Sequence, residues 1–314
     1  MKTLPGLILG AILCGLPAAS EVKVSPAEGK VRVEIDGKPF TDFYISGPEV
    51  TKPYLHPLRA ASGTYVTRMW PMENVGNEPT DHKHQRGVWF AHADVNDLDF
   101  WNNEASYTTP KRGKITLAKL GATKSAGSQG SIAATFDWTD MAGHKLLTES
   151  RTMVFYSDPK LRTIDFDFTL TAVTNVKFHD EKDGVFGLRI RPDLQEQKYS
   201  GKLVNAEGLE TEKQLWGKPS NWVDYFGDIK GEKLGIAILD HPQNPRHPVR
   251  WHARGYGLFA ANPFGLAVFT GDKSQDGSMT LEPGQSVRFR YRLIVHPGDV
   301  KTANIAAEWE KYAK

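Results

Sequence analysis

The 314-residue sequence balances 39 Lys and Arg against 37 Asp and Glu, a formal net charge of +2. That near-neutrality excludes the one-signed surface of a nucleic-acid binder, and the single cysteine, Cys14, excludes a disulfide framework or a Cys-ligated metal.

Residues 1–20 read as a secretory leader. Lys2 gives the positive start, Leu4 to Leu16 is apolar, and Pro17-Ala18-Ala19-Ser20 supplies small residues for cleavage. Roughly 20 apolar residues are needed to span a bilayer, and no later stretch approaches that length without charges. Leu13 before Cys14 is too large for a lipoprotein signal. A periplasmic or secreted chain with no membrane insertion is expected, its mature part, 21–314, forming a single β-sandwich domain.

Beyond the leader the signal has period two. In Lys30–Ile35, Val31, Val33 and Ile35 alternate with polar residues and run into Asp36-Gly37, a hairpin turn pair. Further strands are expected over Ile132–Trp138, Leu147–Tyr156, Leu161–Ala172, Val185–Arg191, Gly235–Leu239, Gly257–Ala261, Leu266–Thr270 and Ser286–His296. Leu161–Ala172 is the cleanest, with Ile164, Phe166, Phe168 and Leu170 on one face. At the C-terminus Ile305, Trp309 and Tyr312 share a helical face. Many strands, Gly/Pro turns and one short helix predict an all-β, two-sheet sandwich or supersandwich.

Two polar segments stand out, and six of the ten histidines fall within them. The first is Asp81–Trp101, where an extended backbone would put His82, His84 and Arg86 on one face; His92 and Asp94 follow. A strand-borne His-x-His is one way to hold a metal, so His82 and His84 are candidate ligands for a divalent cation. The second runs from Asp240 to Arg254, where Pro242, Pro245 and Pro248 stiffen a loop carrying His241, Asn244 and His247, with Trp251, His252 and Arg254 beyond. Glu207 is a weaker carboxylate candidate. Asp94, Asp97 and Asp99 also suit turn-capping, a purely structural role. If the segments meet, they form one pocket with imidazole, carboxylate, guanidinium and indole groups.

The run DHKHQRGVWFAHADVNDLDFW (81–101), with DHPQNPRHP (240–248) and WHARGYGLFAANP (251–263), resembles the exported bacterial PmoA-like family. A methane-oxygenase label goes with that family, but a mean hydropathy of −0.44 excludes an integral membrane oxygenase subunit here. The resemblance carries over no functional residues. LEPGQSVRFRYRLIVH (281–296) is similar to the last strands of galactose-mutarotase-like supersandwiches, which implies a sheet that holds a sugar.

The expected function is that of a carbohydrate-active enzyme, a glycoside hydrolase or lyase acting on a carbohydrate or glycoside. Its catalytic candidates are His82, His84, His92, His241, His247, Asp94 and Glu207. Its substrate-binding candidates are Arg86, Trp89, Trp101, Asn244, Trp251, His252 and Arg254, the indoles by stacking on sugar faces. A non-catalytic carbohydrate-binding or cell-surface protein, and a metal-dependent oxidoreductase, are the alternatives.

Overall fold

The computed structural model describes residues 21–314, so the leader read over 1–20 lies outside the described residues. Two eight-stranded antiparallel sheets pack face to face. The first runs, in spatial order, Val22–Ala27, Lys30–Ile35, Lys38–Tyr44, Tyr54–His56, Val88–His92, Gly184–Arg189, Leu258–Asn262 and Arg250–Ala253. The second runs Lys202–Asn205, Trp222–Ile229, Glu232–Asp240, Ser286–Pro297, Arg162–Ala172, Lys145–Ser157, Gln129–Asp140 and Gly113–Ala126. A two-stranded ribbon pairs Val176–Phe178 with Met279–Leu281.

Period two translates directly into these layers. Ile164, Phe166, Phe168 and Leu170 are all buried and face the first sheet, where Phe90 stacks on Phe168 at 4.1 Å between ring centroids. On the outer face Arg292 forks onto Asp165 (2.6 and 2.7 Å), and Arg288 grips Asp167 in the same way. The Asp36-Gly37 hairpin joins Lys30–Ile35 to Lys38–Tyr44 as the turn chemistry requires.

The C-terminal helix, Ile305–Tyr312, covers the outer face of the second sheet, packing Ile305, Trp309 and Tyr312 against Trp222, Leu239 and Ile294. Among the described residues no helix is long and apolar enough to cross a membrane.

Leu266–Thr270 corrects an expectation: it is one short helix, not a strand. Five apolar residues do not distinguish the two states. Here Asp180 Oδ2 accepts the Ala267 N–H at 2.9 Å, and Gly271 ends the turn in the left-handed region, φ 72°.

Candidate functional site

The outer face of the first sheet carries a cross-strand row, Tyr54–Trp89–Gly187–Ala260–His252, each residue directly opposite the next. Gly187 is small for a reason: a Cβ there would lie 2.6 Å from Trp101 Cη2. Trp101 therefore lies across the row, edge-on to Trp89 with 4.8 Å between centroids. Where the row ends at His252, the loops above leave a cleft of about 330 Å³ lined by His82, His84, Gln85, Asn102, Lys182, Asp183, His252, Arg254 and Tyr256. That volume suits a small ligand or one sugar unit.

Two fully buried arginines shape the cleft's His-bearing wall. Arg68 donates to the carbonyls of Asp81 (2.8 Å), His82 (2.9 Å) and Gln85 (3.1 Å) and to Asp81 Oδ1 (2.8 Å). Arg189, on the Gly184–Arg189 strand, donates to Gln85 Oε1 (2.5 Å) and to both Asp81 oxygens (2.9 and 3.2 Å), and lies 4.5 Å from the Tyr256 ring centre. So clamped, residues 81–87 form a tight turn, with His82 at φ 45° and Gly87 at φ 52°. The extended strand expected there is thus corrected, because the alternation argument ignored these buried cations. A side chain at Gly87 would put Cβ 2.0 Å from the Leu55 carbonyl oxygen, so the turn needs glycine at that point.

The three cleft imidazoles have different surroundings. His82 is partly exposed, stacks on Tyr256 (5.1 Å, 16°) and places Nδ1 3.2 Å from Asp81 Oδ2. Burial pushes the Asp81 carboxyl up, but His82, Arg189 and Arg68 together outweigh it and hold it well below the usual range. His84 is buried, with Nδ1 3.3 Å from the Tyr107 hydroxyl; burial foremost, then Lys52 and His82, drives its pKa down to about 2. It stays neutral at ordinary pH. His252 Nδ1 lies 3.0 Å from the Lys182 carbonyl and 3.3 Å from Asp183 Oδ1. A carbonyl only accepts, so Nδ1 carries a proton, and the tautomer that fits this contact has its lone pair on Nε2. Burial raises the Asp183 carboxyl, yet its contacts with His252 and Lys182 prevail and hold it well below the usual range. Arg254 pairs with Glu212 at 2.7 Å and lies over Trp216 (5.0 Å).

The cleft therefore unites His82 and His84 with His252 and Arg254, while the other candidates lie elsewhere. His241 and His247 face the C-terminal helix: His241 sits edge-on to Tyr312 (5.0 Å) and His247 stacks parallel to Trp309 (6.1 Å). Buried Asp240 binds His247 Nδ1 (2.7 Å), the Asn244 amide (2.7 Å) and the Val249 N–H (3.1 Å), so His247 and Asn244 anchor the proline loop. His92 is buried, its Nε2 2.8 Å from the His179 carbonyl, and burial lowers its pKa to about 4. Arg86 is locked onto Glu104 (2.8 and 2.6 Å). Trp89, Trp101 and Trp251 are buried core residues, and Trp251 Nε1 donates to the Ser220 carbonyl. Asp94 lies outside the cleft lining, and Glu207 sits exposed in a turn. The expectation of one site from two whole segments is corrected to one from their ends.

Missed from sequence were Lys182, Asp183, Tyr256, Gln85 and Asn102. The Glu181-Lys182-Asp183 run just before an apolar strand was the available signal. Among the described residues no third His, Asp or Glu joins His82 and His84 at ligand spacing. A larger hollow of about 790 Å³ lies beside the C-terminal helix, lined by Trp222, Phe226, Lys202 and Lys233 among others. It gathers no imidazole, so the smaller cleft is the better place for acid–base chemistry.

The profile of DUF6807, described as a family of unknown function, matches residues 30–310. The chain belongs to this family. No curated protein sequence matches it. Among solved structures it is similar to the heparan sulfate lyase HepC from Pedobacter heparinus, with 9% identity, TM-score 0.38, and coverage of 90% of this chain and 36% of the lyase. It is similar to the GH36 alpha-galactosidase AgaA from Geobacillus stearothermophilus at 12% identity and TM-score 0.38, covering 88% of this chain and 40% of that one. A galactose mutarotase-like protein from Lactobacillus casei ATCC 334 matches at 8% identity and TM-score 0.38, covering 88% of this chain and 100% of that one. The chain thus spans well under half the length of the lyase and the galactosidase.

Proposed function

We propose that this chain is an exported carbohydrate-active enzyme whose cleft on the first sheet transfers protons on a sugar, with a lyase-type elimination favoured over hydrolysis. The observation that carries this reading is the Asp183–His252 pair set in the same cleft as the Asp81-supported His82. His252 Nε2 takes the proton from a sugar carbon next to a carboxylate or carbonyl. The C–H electron pair becomes the new C=C bond, the neighbouring C–O bond breaks, and the leaving oxygen takes a proton from His82. Lys182, Arg254 and Asn102 supply donors for the carboxylate or hydroxyls.

Glycoside hydrolysis by two carboxyl groups needs a pair facing each other across the bond. Among the described residues that line the cleft, Asp183 is the one carboxylate, and it is committed to His252 and Lys182. A binding-only role would use exposed aromatic faces. Trp89, Trp101 and Trp251 are buried, and Tyr256 has His82 and Arg189 against its ring. Export is supported by the apolar Leu4–Leu16 stretch. The PmoA-like kinship of 81–101 belongs to this proposal; the methane-oxygenase label does not.

The test is turnover on a panel of neutral and acidic oligosaccharides, read both as new reducing ends and as unsaturated product. His252→Gln and Asp183→Asn should each lose about 10²-fold or more in kcat while staying folded, the range of a general acid–base group. Turnover by His252→Gln at the wild-type rate would overturn the assignment.

A further inference from the structure

We propose that the hollow beside the C-terminal helix is a second binding site, for an acidic oligosaccharide whose carboxylate sits at the helix N-terminus. The hollow and the His252 cleft share no lining residue. At about 790 Å³ the hollow has more than twice the cleft's 330 Å³, room for about two sugar units.

The donors come from three separate sources. The first is the helix Ile305–Tyr312, which begins at Asn304. That residue is left-handed, φ 52°, and its side chain caps nothing. A capping side chain would serve the N–H of Ala306 or Ala307, and neither group has an acceptor among the described residues. Asn304 and Ala306 both line the hollow, so a free first turn opens on it, with N–H groups and the positive end of the dipole ready for an oxyanion. The second source is Asn205, at the end of the strand Lys202–Asn205. It lines the hollow, is 1% exposed, and spends Oδ1 on the Leu209 N–H (2.9 Å), while its buried Nδ2 has no partner. A buried donor without an acceptor is costly, and a ligand oxygen relieves it.

The third source is charge. Lys202, Lys233 and Lys301 line the hollow, and among the described residues none has a carboxylate within 4.0 Å. Two carboxylates share the lining, Glu210 and Asp299, and Asp299 Oδ1 is spent on the Thr302 N–H and hydroxyl (2.9 and 2.8 Å). The balance stays positive. Beneath these groups the floor is apolar, with Val204, Trp222 and Phe226 on the outer face of the second sheet. Donors at one edge and an apolar floor suit a uronate, whose ring offers C–H faces and carries its charge at one end. The choice of a sugar acid rests on the carbohydrate reading above; the anion site does not.

The experiment is calorimetric titration of the full chain with trigalacturonate and with neutral maltotriose, and crystals soaked in trigalacturonate to locate it. Saturable binding in the hollow is expected, with a carboxylate about 3 Å from the Ala306 nitrogen. It should be at least tenfold tighter than for maltotriose and weaken as salt is added. Lys202→Gln combined with Lys301→Gln should weaken it at least tenfold at an unchanged melting temperature, since both residues are exposed. His252→Gln should leave the hollow's affinity intact, which separates failure of this site from failure of the cleft. No saturable binding, equal affinity for maltotriose, binding unmoved by the lysine pair, or trigalacturonate found only in the cleft would overturn the proposal.

Discussion

Replacing Arg189 with Met tests whether buried cations hold the His82–Gln85 wall in place. Met fills most of the side-chain path but donates nothing. Asp81 keeps Arg68 Nη1 on Oδ1, so it is not orphaned. Gln85 is different: it is buried, and its Oε1 loses the Arg189 partner, which costs about 1–3 kcal/mol. Loss of the guanidinium from the Tyr256 face, at 4.5 Å and desolvated, adds up to about 2 kcal/mol. The two groups touch, so the terms are not additive, and a total of about 3 kcal/mol is expected. At about 2 °C per kcal/mol for a chain of this size, the melting temperature should fall by roughly 6 °C. Urea unfolding gives the free energy, and ligand affinity should fall as well because the histidine wall loses its clamp. Arg189→Lys keeps the charge but not the fork, and should lie between the two. A variant melting within about 1 °C of wild type, with unchanged affinity, would refute the clamp.

Two further predictions concern buried ionic groups. His296, buried against Asp224 at 3.1 Å, has its pKa raised above 6.5: burial lowers it, but the Asp224 carboxylate outweighs that penalty. Its stabilisation should be complete below pH 6.5 and fade as pH rises through the folded value, a descending limb that Asp224→Asn removes from the stability–pH curve. In the core Arg151 pairs with Glu149 at 2.6 Å and lies 4.9–5.5 Å from the rings of Phe43, Phe136 and Phe168. Arg151→Met should cost about 3–5 kcal/mol in urea unfolding by stranding the carboxylate, and adding Glu149→Gln should recover most of it.

The strand pattern was legible because burial of alternate residues in a sandwich writes itself into period two. Arg162–Ala172 and Ser286–Pro297 nearly coincide with their predicted spans. The helical face of Ile305, Trp309 and Tyr312 was equally plain. Leu266–Thr270 was not, since five apolar residues fit either state and a partner of its backbone, Asp180, is far away in sequence. The site was half legible for the same reason. Composition marked His82, His84, His252 and Arg254, but could not tell them from His241 and His247, which serve the C-terminal helix. Asp183 gains its meaning only when sheet pairing brings its strand beside Arg250–Ala253 through Leu258–Asn262.

The proposed proton transfer requires that sugar bind in the cleft beside His252. A crystal structure of the full chain soaked with an oligosaccharide that it turns over, or binds in a glycan screen, tests this most directly. The prediction is a sugar ring in the cleft with a reacting atom about 3 Å from His252 Nε2. Sugar bound only in the hollow beside the C-terminal helix, with the cleft vacant at saturating ligand, would contradict it.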